Sequence, residues 1–180
     1  MVSFRNASQE DGQAIADLHA KSWQENYRGT FSDTFLDDAV FDDRLTVWKD
    51  RLANPNEDQW VYVAEVKNSL VAFICAYLDK DPTYGTLIDN LHVHSRCIGQ
   101  RIGERLMVEV AKLLRANGKQ SMYLWVLTSN TKAIRFYRRL GGVPMETVHD
   151  FDIGDREIVK TRYYWQSLDT IVDLPQKTET

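Results

Sequence analysis

A short run, Ile98-Gly99-Gln100-Arg101-Ile102-Gly103, lies between an apolar segment, Gly85–Val93, and an amphipathic stretch over residues 104–118. The order reads as strand, glycine-containing turn, helix. Such a turn aims several backbone N–H groups and the positive end of the helix dipole at one place, which suits a pyrophosphate. Glycine turns also precede helices for steric reasons alone, so the run is a hypothesis about chemistry. A second segment has the same order. Tyr123-Leu124-Trp125-Val126-Leu127 reads as a buried strand, and Thr128-Ser129-Asn130 leads into a helix over residues 131–140 that stops at Gly141-Gly142. Asn130 is suited to cap that helix. Tyr137 is a phenol at helical spacing from Ile134 and Leu140, which on spacing alone reads as a core aromatic.

The elements that must position these residues follow from periodicity. Residues 2–5 read as a short strand. Ser8 and Asp11 have the spacing of a capping box before a helix marked by Ala14, Ile15, Leu18 and Ser22 and ending near Trp23. Phe41, Leu45, Trp48 and Leu52 predict the apolar face of a second helix. Residues 60–66 and 70–78 predict two strands with a tight hairpin at Lys67-Asn68-Ser69, and residues 79–84, with Pro82, predict a turn. The helix after the glycine turn should bury Ile102, Leu106, Val110 and Leu113 or Leu114. Residues 142–149 and 156–165 predict a closing pair of strands around Ile153-Gly154-Asp155. One mixed sheet with helices on its faces accounts for this order.

Composition bounds the function classes. The chain has 180 residues, 43% hydrophobic and 27% charged, which suits one soluble domain with a sizeable core. We expect a single domain over residues 1–166 and a tail over 167–180, frayed or packed on a neighbour. No apolar stretch approaches the ~18–20 residues of a membrane helix, and the first five residues lack signal-peptide anatomy. Cys75 and Cys97 show neither metal spacing nor a disulfide framework, so a reduced, cytoplasmic protein without a metal is expected. The net charge of −4 argues against a general nucleic-acid binder.

The order Leu124-Trp125-Val126-Leu127, two residues, Asn130, two residues, Ala133, then Phe136-Tyr137 and Leu140-Gly141 resembles the GNAT superfamily of N-acetyltransferases. The resemblance runs from about Val2 to about Trp165. It implies an α/β fold with an α+β mixed sheet: the GNAT acyltransferase fold, a central, mostly antiparallel sheet flanked by helices. It also implies acetyl-CoA as cosubstrate. The pyrophosphate would lie on the turn formed by Ile98, Gly99, Gln100, Arg101, Ile102, Gly103 and Glu104. The backbone of Leu91, His92 and Val93 would pair with the pantetheine arm and polarise the acetyl carbonyl, and Asn130 and Tyr137 would line the thioester end. The turn departs from the family pattern, because Ile98 stands at the Gln or Arg position and Arg101 at the first glycine. A positive φ would strain Arg101, whereas a negative φ would leave its guanidinium free for phosphate.

Direct transfer from acetyl-CoA to a primary amine requires an acid for the leaving thiolate, and the resemblance gives that role to Tyr137. Some family members carry a base where Leu87 stands here. Asp89, two residues on, should share the face of Leu87 and could act through water, whereas His92 points to the other face unless a bulge intervenes. Trp23, Tyr27 and Tyr84 are expected on the acceptor side, near a run of acidic residues, Asp33, Asp37, Asp38, Asp42 and Asp43. Arg101, Arg105, Lys132, Arg135, Arg138 and Arg139 supply candidates for CoA phosphates. The acceptor is a small-molecule amine or a peptide or protein amine, with no nucleic-acid or membrane partner, and a homodimer is left open. The competing reading is a CoA-binding or regulatory module of the same fold with little activity. A dinucleotide-binding α/β protein is disfavoured, since no Gly-x-Gly-x-x-Gly follows the first strand.

Overall fold

The computed structural model describes residues 2–151 and 157–174. A seven-stranded sheet in the order β1-β2-β3-β4-β5-β7-β6 organises the chain. Its strands are β1 (Val2–Asn6), β2 (Gln59–Val66), β3 (Ser69–Asp81), β4 (Gly85–Val93), β5 (Met122–Leu127), β6 (Val143–Asp150) and β7 (Ile158–Trp165). Neighbours run antiparallel except β4 and β5, which are parallel. The expected mostly antiparallel sheet is therefore present. Lys67 and Asn68 both take positive φ (50° and 61°), the conformation that lets a two-residue hairpin match the strand twist.

Helices cover the two faces unequally. Helix α1 (Gly12–Asn26) and α2 (Val40–Ala53) lie on one face of β1–β4, where Ile15, Ala16, Trp48, Val61, Val63, Phe73 and Cys75 are buried together. Helix α3 (Ile102–Ala116) covers the other face. Its buried Ile102, Leu106, Val110 and Leu114 recur every four residues, one stripe against Ala72, Ile74, Ile88, Met122 and Leu124. Helix α4 (Thr131–Arg139) joins that cluster through Ala133, Ile134, Phe136 and Tyr137, and α5 (Asp169–Val172) through Ile171.

Three expectations need correction. Phe41 is 40% exposed, because α2 turns its Leu45–Trp48–Leu52 side to the core. The turn after β3 is shorter than expected: the strand continues to Asp81, whose carboxylate accepts the N–H groups of Thr83 and Tyr84 at 2.8 and 3.0 Å. Residues 167–174 are not frayed. Leu168 and Ile171 are buried in the chain's own core, and Asp169 pairs with Arg115 at 2.8 Å. The expected turn at Ile153-Gly154-Asp155 and the tail beyond residue 174 lie outside the described residues.

Candidate active site

The site begins where two strands part. The parallel pairing of β4 with β5 is confined to Thr86↔Met122 and Leu87↔Tyr123. Beyond it, residues 88–93 and 124–127 line opposite sides of a cavity of about 780 Å³. Backbone N–H and C=O groups of β4 that would have bonded β5 are thus offered to whatever enters, since strand polar groups demand partners. The register of β4 against β3 skips a residue between Cys75↔Asn90 and Ala76↔Ile88. This bulge sits at Asp89 and changes the alternation. Asn90 and His92 stand opposite Cys75 and Phe73, on the α1–α2 side, and Asp89 also reaches that side to meet Arg51. Leu91 and Val93 turn their side chains to the α3 cluster. The bulge is what places Asp89 and His92 in one cavity.

The turn before α3 contains two left-handed residues. Gln100 N–H donates to the Cys97 carbonyl at 3.3 Å, Ile98 has φ −62° and ψ 138°, and Gly99 has φ 87°. This is a type II β-turn, whose third position requires positive φ and hence glycine. Arg101 follows at φ 59° and ψ 13°. The strained alternative for Arg101 is therefore the one realised, and its guanidinium pairs with Glu104. The first-turn N–H groups of α3 have no intrahelical acceptors, as at any helix start. A Cβ added to Gly103 would lie 3.1 Å from Val93 Cγ2 and 3.6 Å from Phe136 Cζ, so this glycine lets α3 lie close to β4 and α4. A cradle of bare backbone at a helix start fits a pyrophosphate.

Asn130 caps α4, its side-chain oxygen accepting Ala133 N–H at 3.0 Å, and it also lines the cavity. Tyr137 lines the cavity as well, with Phe136, Tyr163 and Trp165 around its ring. Burial and nearby Tyr27 push the Tyr137 phenol above its ordinary value, and burial does the same for Tyr27. Both phenols stay protonated across the neutral range.

The α1–α2 wall is aromatic and charged. Trp23 stacks on Phe31 (centroids 4.7 Å apart), with Tyr27 and Phe35 beside them. Arg44 lies 4.3 Å over the Trp23 ring and pairs with Asp43, its Nε donating at 2.7 Å. Arg51 Nη1 bonds Asp89 at 3.0 Å and Asn90 at 3.2 Å. His92 Nδ1 is 2.8 Å from Ser22 Oγ. Behind it, His19 accepts a hydrogen bond from Trp48 Nε1 at 2.9 Å and packs against the His92 ring at 4.4 Å. Burial, and then the nearby Arg44 charge, lower the His92 pKa to about 4. His19 is lowered too, by burial first and then by His92, Arg44 and Arg51. Both rings are neutral at pH 7.

Of the residues singled out from sequence, Trp23, Tyr27, Asp89, Leu91, His92, Val93, Asn130 and Tyr137 line this one cavity. Tyr84 is not among its lining residues. Its ring packs edge-on to Tyr164 and under the Arg162 guanidinium at 4.0 Å. The acidic run is partly spent on internal pairs, Asp33 and Asp37 with Arg28 and Asp43 with Arg44. Arg105 lies over Phe4, Arg138 donates to Tyr163, and Arg139 lies over Phe136. Sequence reading missed Ser22, Arg44, Arg51 and Trp125. For the two arginines a signal existed: positions 44, 48 and 51 recur as one helical stripe with the buried Trp48. Among the described residues no three His, Cys, Asp or Glu cluster to hold a metal, and no helix is long and apolar enough to cross a membrane.

Residues 13–142 match the acetyltransferase (GNAT) family. The chain belongs to this family. An uncharacterized N-acetyltransferase of Bacillus subtilis (strain 168), YuaI, is 24% identical over 178 residues, covering 97% of this chain and 98% of the relative. Among solved structures, the PaiA N-acetyltransferase of Thermoplasma acidophilum in complex with coenzyme A superposes with a TM-score of 0.69 at 18% identity, covering 89% of this chain and 98% of that one. Arabidopsis thaliana NAA60, in complex with a bisubstrate analogue, gives a TM-score of 0.69 at 16% identity over 92% and 97% of the chains. These likenesses confirm the GNAT fold expected from sequence.

Proposed function

We propose that this GNAT protein transfers an acetyl group from acetyl-CoA to a primary amine by direct attack within a ternary complex. The observation that carries the reading is the two-pair junction of β4 and β5, which opens a cavity flanked by Tyr137 and by the start of α4. The coenzyme A and bisubstrate complexes of the structural relatives support the choice of cosubstrate. Acetyl-CoA would supply an activated thioester. The turn at residues 98–104 would hold its phosphates by backbone, with Gly103 allowing close approach, and the freed β4 amides of Leu91–Val93 would receive its arm and polarise the carbonyl. Tyr137, kept protonated by burial, would donate its proton to the departing sulfur. Asp89 is the carboxylate of β4 that lines the cavity. Arg51 holds its Oδ2, which leaves Oδ1 to accept the amine proton through water. Trp23 and Tyr27 would form the acceptor wall. Two buried, unpaired cysteines suit a reducing compartment such as the cytoplasm.

Thiol release from acetyl-CoA across a panel of amines tests the reading, with amine-dependent release as the expected result. A binding module without turnover is the second reading. It is favoured by Leu87, which lines the cavity where some family members carry a base. Tight CoA binding with no release on any amine would select it.

A further inference from the structure

The acceptor wall presents two guanidinium groups, and the fold uses them differently. Arg51 ties α2 to the β4 bulge through Asp89 and Asn90. Arg44 has a single acceptor among the described residues, Asp43, which engages the Nε–Nη2 edge of its guanidinium through one oxygen. Its side chain is only 15% exposed, it lies over the Trp23 ring, and it lines the cavity. Its Nη1 edge has no acceptor among the described residues. A guanidinium mostly covered by protein, with donors left over toward a cavity, is suited to a ligand that completes its hydrogen bonds.

We propose that the acceptor amine carries its own anionic group, a carboxylate or a phosphonate, and that Arg44 receives it. The inference rests on the acetyltransferase reading above and names its substrate class. Charge on the wall selects against other amines. The cavity-lining carboxylates, Asp43 and Asp89, are each already bonded to an arginine, so a dicationic acceptor finds no unpaired carboxylate for its second charge. His19 and His92 are neutral and do not alter the count. A zwitterionic acceptor brings equal and opposite charge. Its anion can lie on the open edge of Arg44, where a charge-assisted bond is strong, and the Trp23 ring beneath the guanidinium helps hold it in place.

The test compares kcat/KM for an α-amino acid, its primary amide, the matching aminophosphonate and a diamine of similar length, all with acetyl-CoA. The amino acid or the aminophosphonate should exceed the amide by ~10-fold or more, the scale of a hydrogen bond to a charged group. The order of those two identifies the anion. Arg44→Met should bring the anionic amine and the amide within about twofold of each other, through KM more than kcat. Arg44→Lys, which keeps the charge but not the fork, should retain part of the gap and covers the case in which Arg44→Met fails to fold. An amide or diamine preferred by the wild type, or a gap that survives Arg44→Met, overturns the inference. If no amine yields thiol release, the catalytic reading has failed instead. Calorimetric binding of the N-acetyl amino acid and its amide to the CoA-loaded protein then decides the question. Preference for the anionic compound supports Arg44 as an anion anchor, and equal affinity or no binding overturns it.

Discussion

On the side of α3 and α4 the cofactor site we propose is built of backbone: a type II turn, the first turn of α3, and the parted amides of β4. On the side of α1 and α2 the cavity is approached by side chains, with aromatic rings, two guanidinium groups and two imidazoles packed in rows. The first arrangement would tolerate side-chain change wherever the backbone path survives. The second would have less tolerance, because each group's state depends on its neighbours: burial and then Arg44 lower His92, and Arg51 holds Asp89. A backbone cradle suits a ligand that never changes, and a side-chain wall suits one that differs between relatives on the same scaffold.

Four experiments would break or sharpen this contrast. The largest effect belongs to the one side chain on the backbone-built side that is given a chemical role. Tyr137→Phe should lower kcat by roughly 10²–10⁴ with little change in KM for acetyl-CoA, as expected for a proton donated mainly in the transition state. A fully active variant would reduce Tyr137 to a packing residue.

The next is a stability effect confined to the side-chain wall. His92 titrates near pH 4 when folded and near 6.5 when unfolded, so between those values the unfolded chain binds more protons. Its contribution, ~3 kcal/mol, is complete above pH 6.5 and is lost as pH falls toward 4. His19 acts in the same direction. Urea unfolding between pH 7 and 4.5 should show this slope, and His92→Phe should flatten it. A wild-type curve that is flat in that window would mean the imidazoles are not buried neutral.

Third, Gly103→Val should weaken CoA binding by ~10-fold or more in a folded protein, since even a Cβ would come within 3.1 Å of Val93. Unchanged affinity would detach the turn from the cofactor. The smallest effect concerns Arg101. Its left-handed backbone costs ~1–2 kcal/mol, from which the chain entropy of glycine takes back part. Arg101→Gly should therefore change stability by less than about 1 kcal/mol in chemical denaturation, because relief of the backbone strain is offset by loss of the pair with Glu104, whose side chain is only 9% exposed. Destabilisation beyond that would show that the Arg101–Glu104 pair contributes more than the backbone strain costs.

What could be read from the sequence follows the same division. Backbone devices leave local traces: strand, turn and helix signals around Gly99 and Asn130 lie within a dozen residues of one another, and the structure has those elements. Hairpin residues Lys67-Asn68 were legible for the same reason. The side-chain wall joins residues far apart in the chain, such as Ser22 with His92 and Arg51 with Asp89, and no periodicity announces such pairs. The bulge at Asp89 was invisible too, since one skipped register position leaves no mark in an apolar strand. Tyr84 was assigned to the acceptor side because a loop aromatic looks available, but its ring had a partner in Arg162 from a strand nearly eighty residues later. The final helix was missed because four residues are too few for a periodic signal, and only tertiary burial of Leu168 and Ile171 secures it.

The brevity of the β4–β5 junction has a mechanical side. Two residue pairs are too few to make the sheet one stiff plate. The five-residue-or-longer ladders on either side, β1–β4 and β5–β7–β6, are the rigid plates, and the seam between them is a hinge line. Beneath the seam one hydrophobic cluster joins residues of α3 with Ile88 from one plate and Met122 and Leu124 from the other. With so few hydrogen bonds across the seam, side-chain volume beneath the sheet has more leverage on the width of the slot than bonds within it.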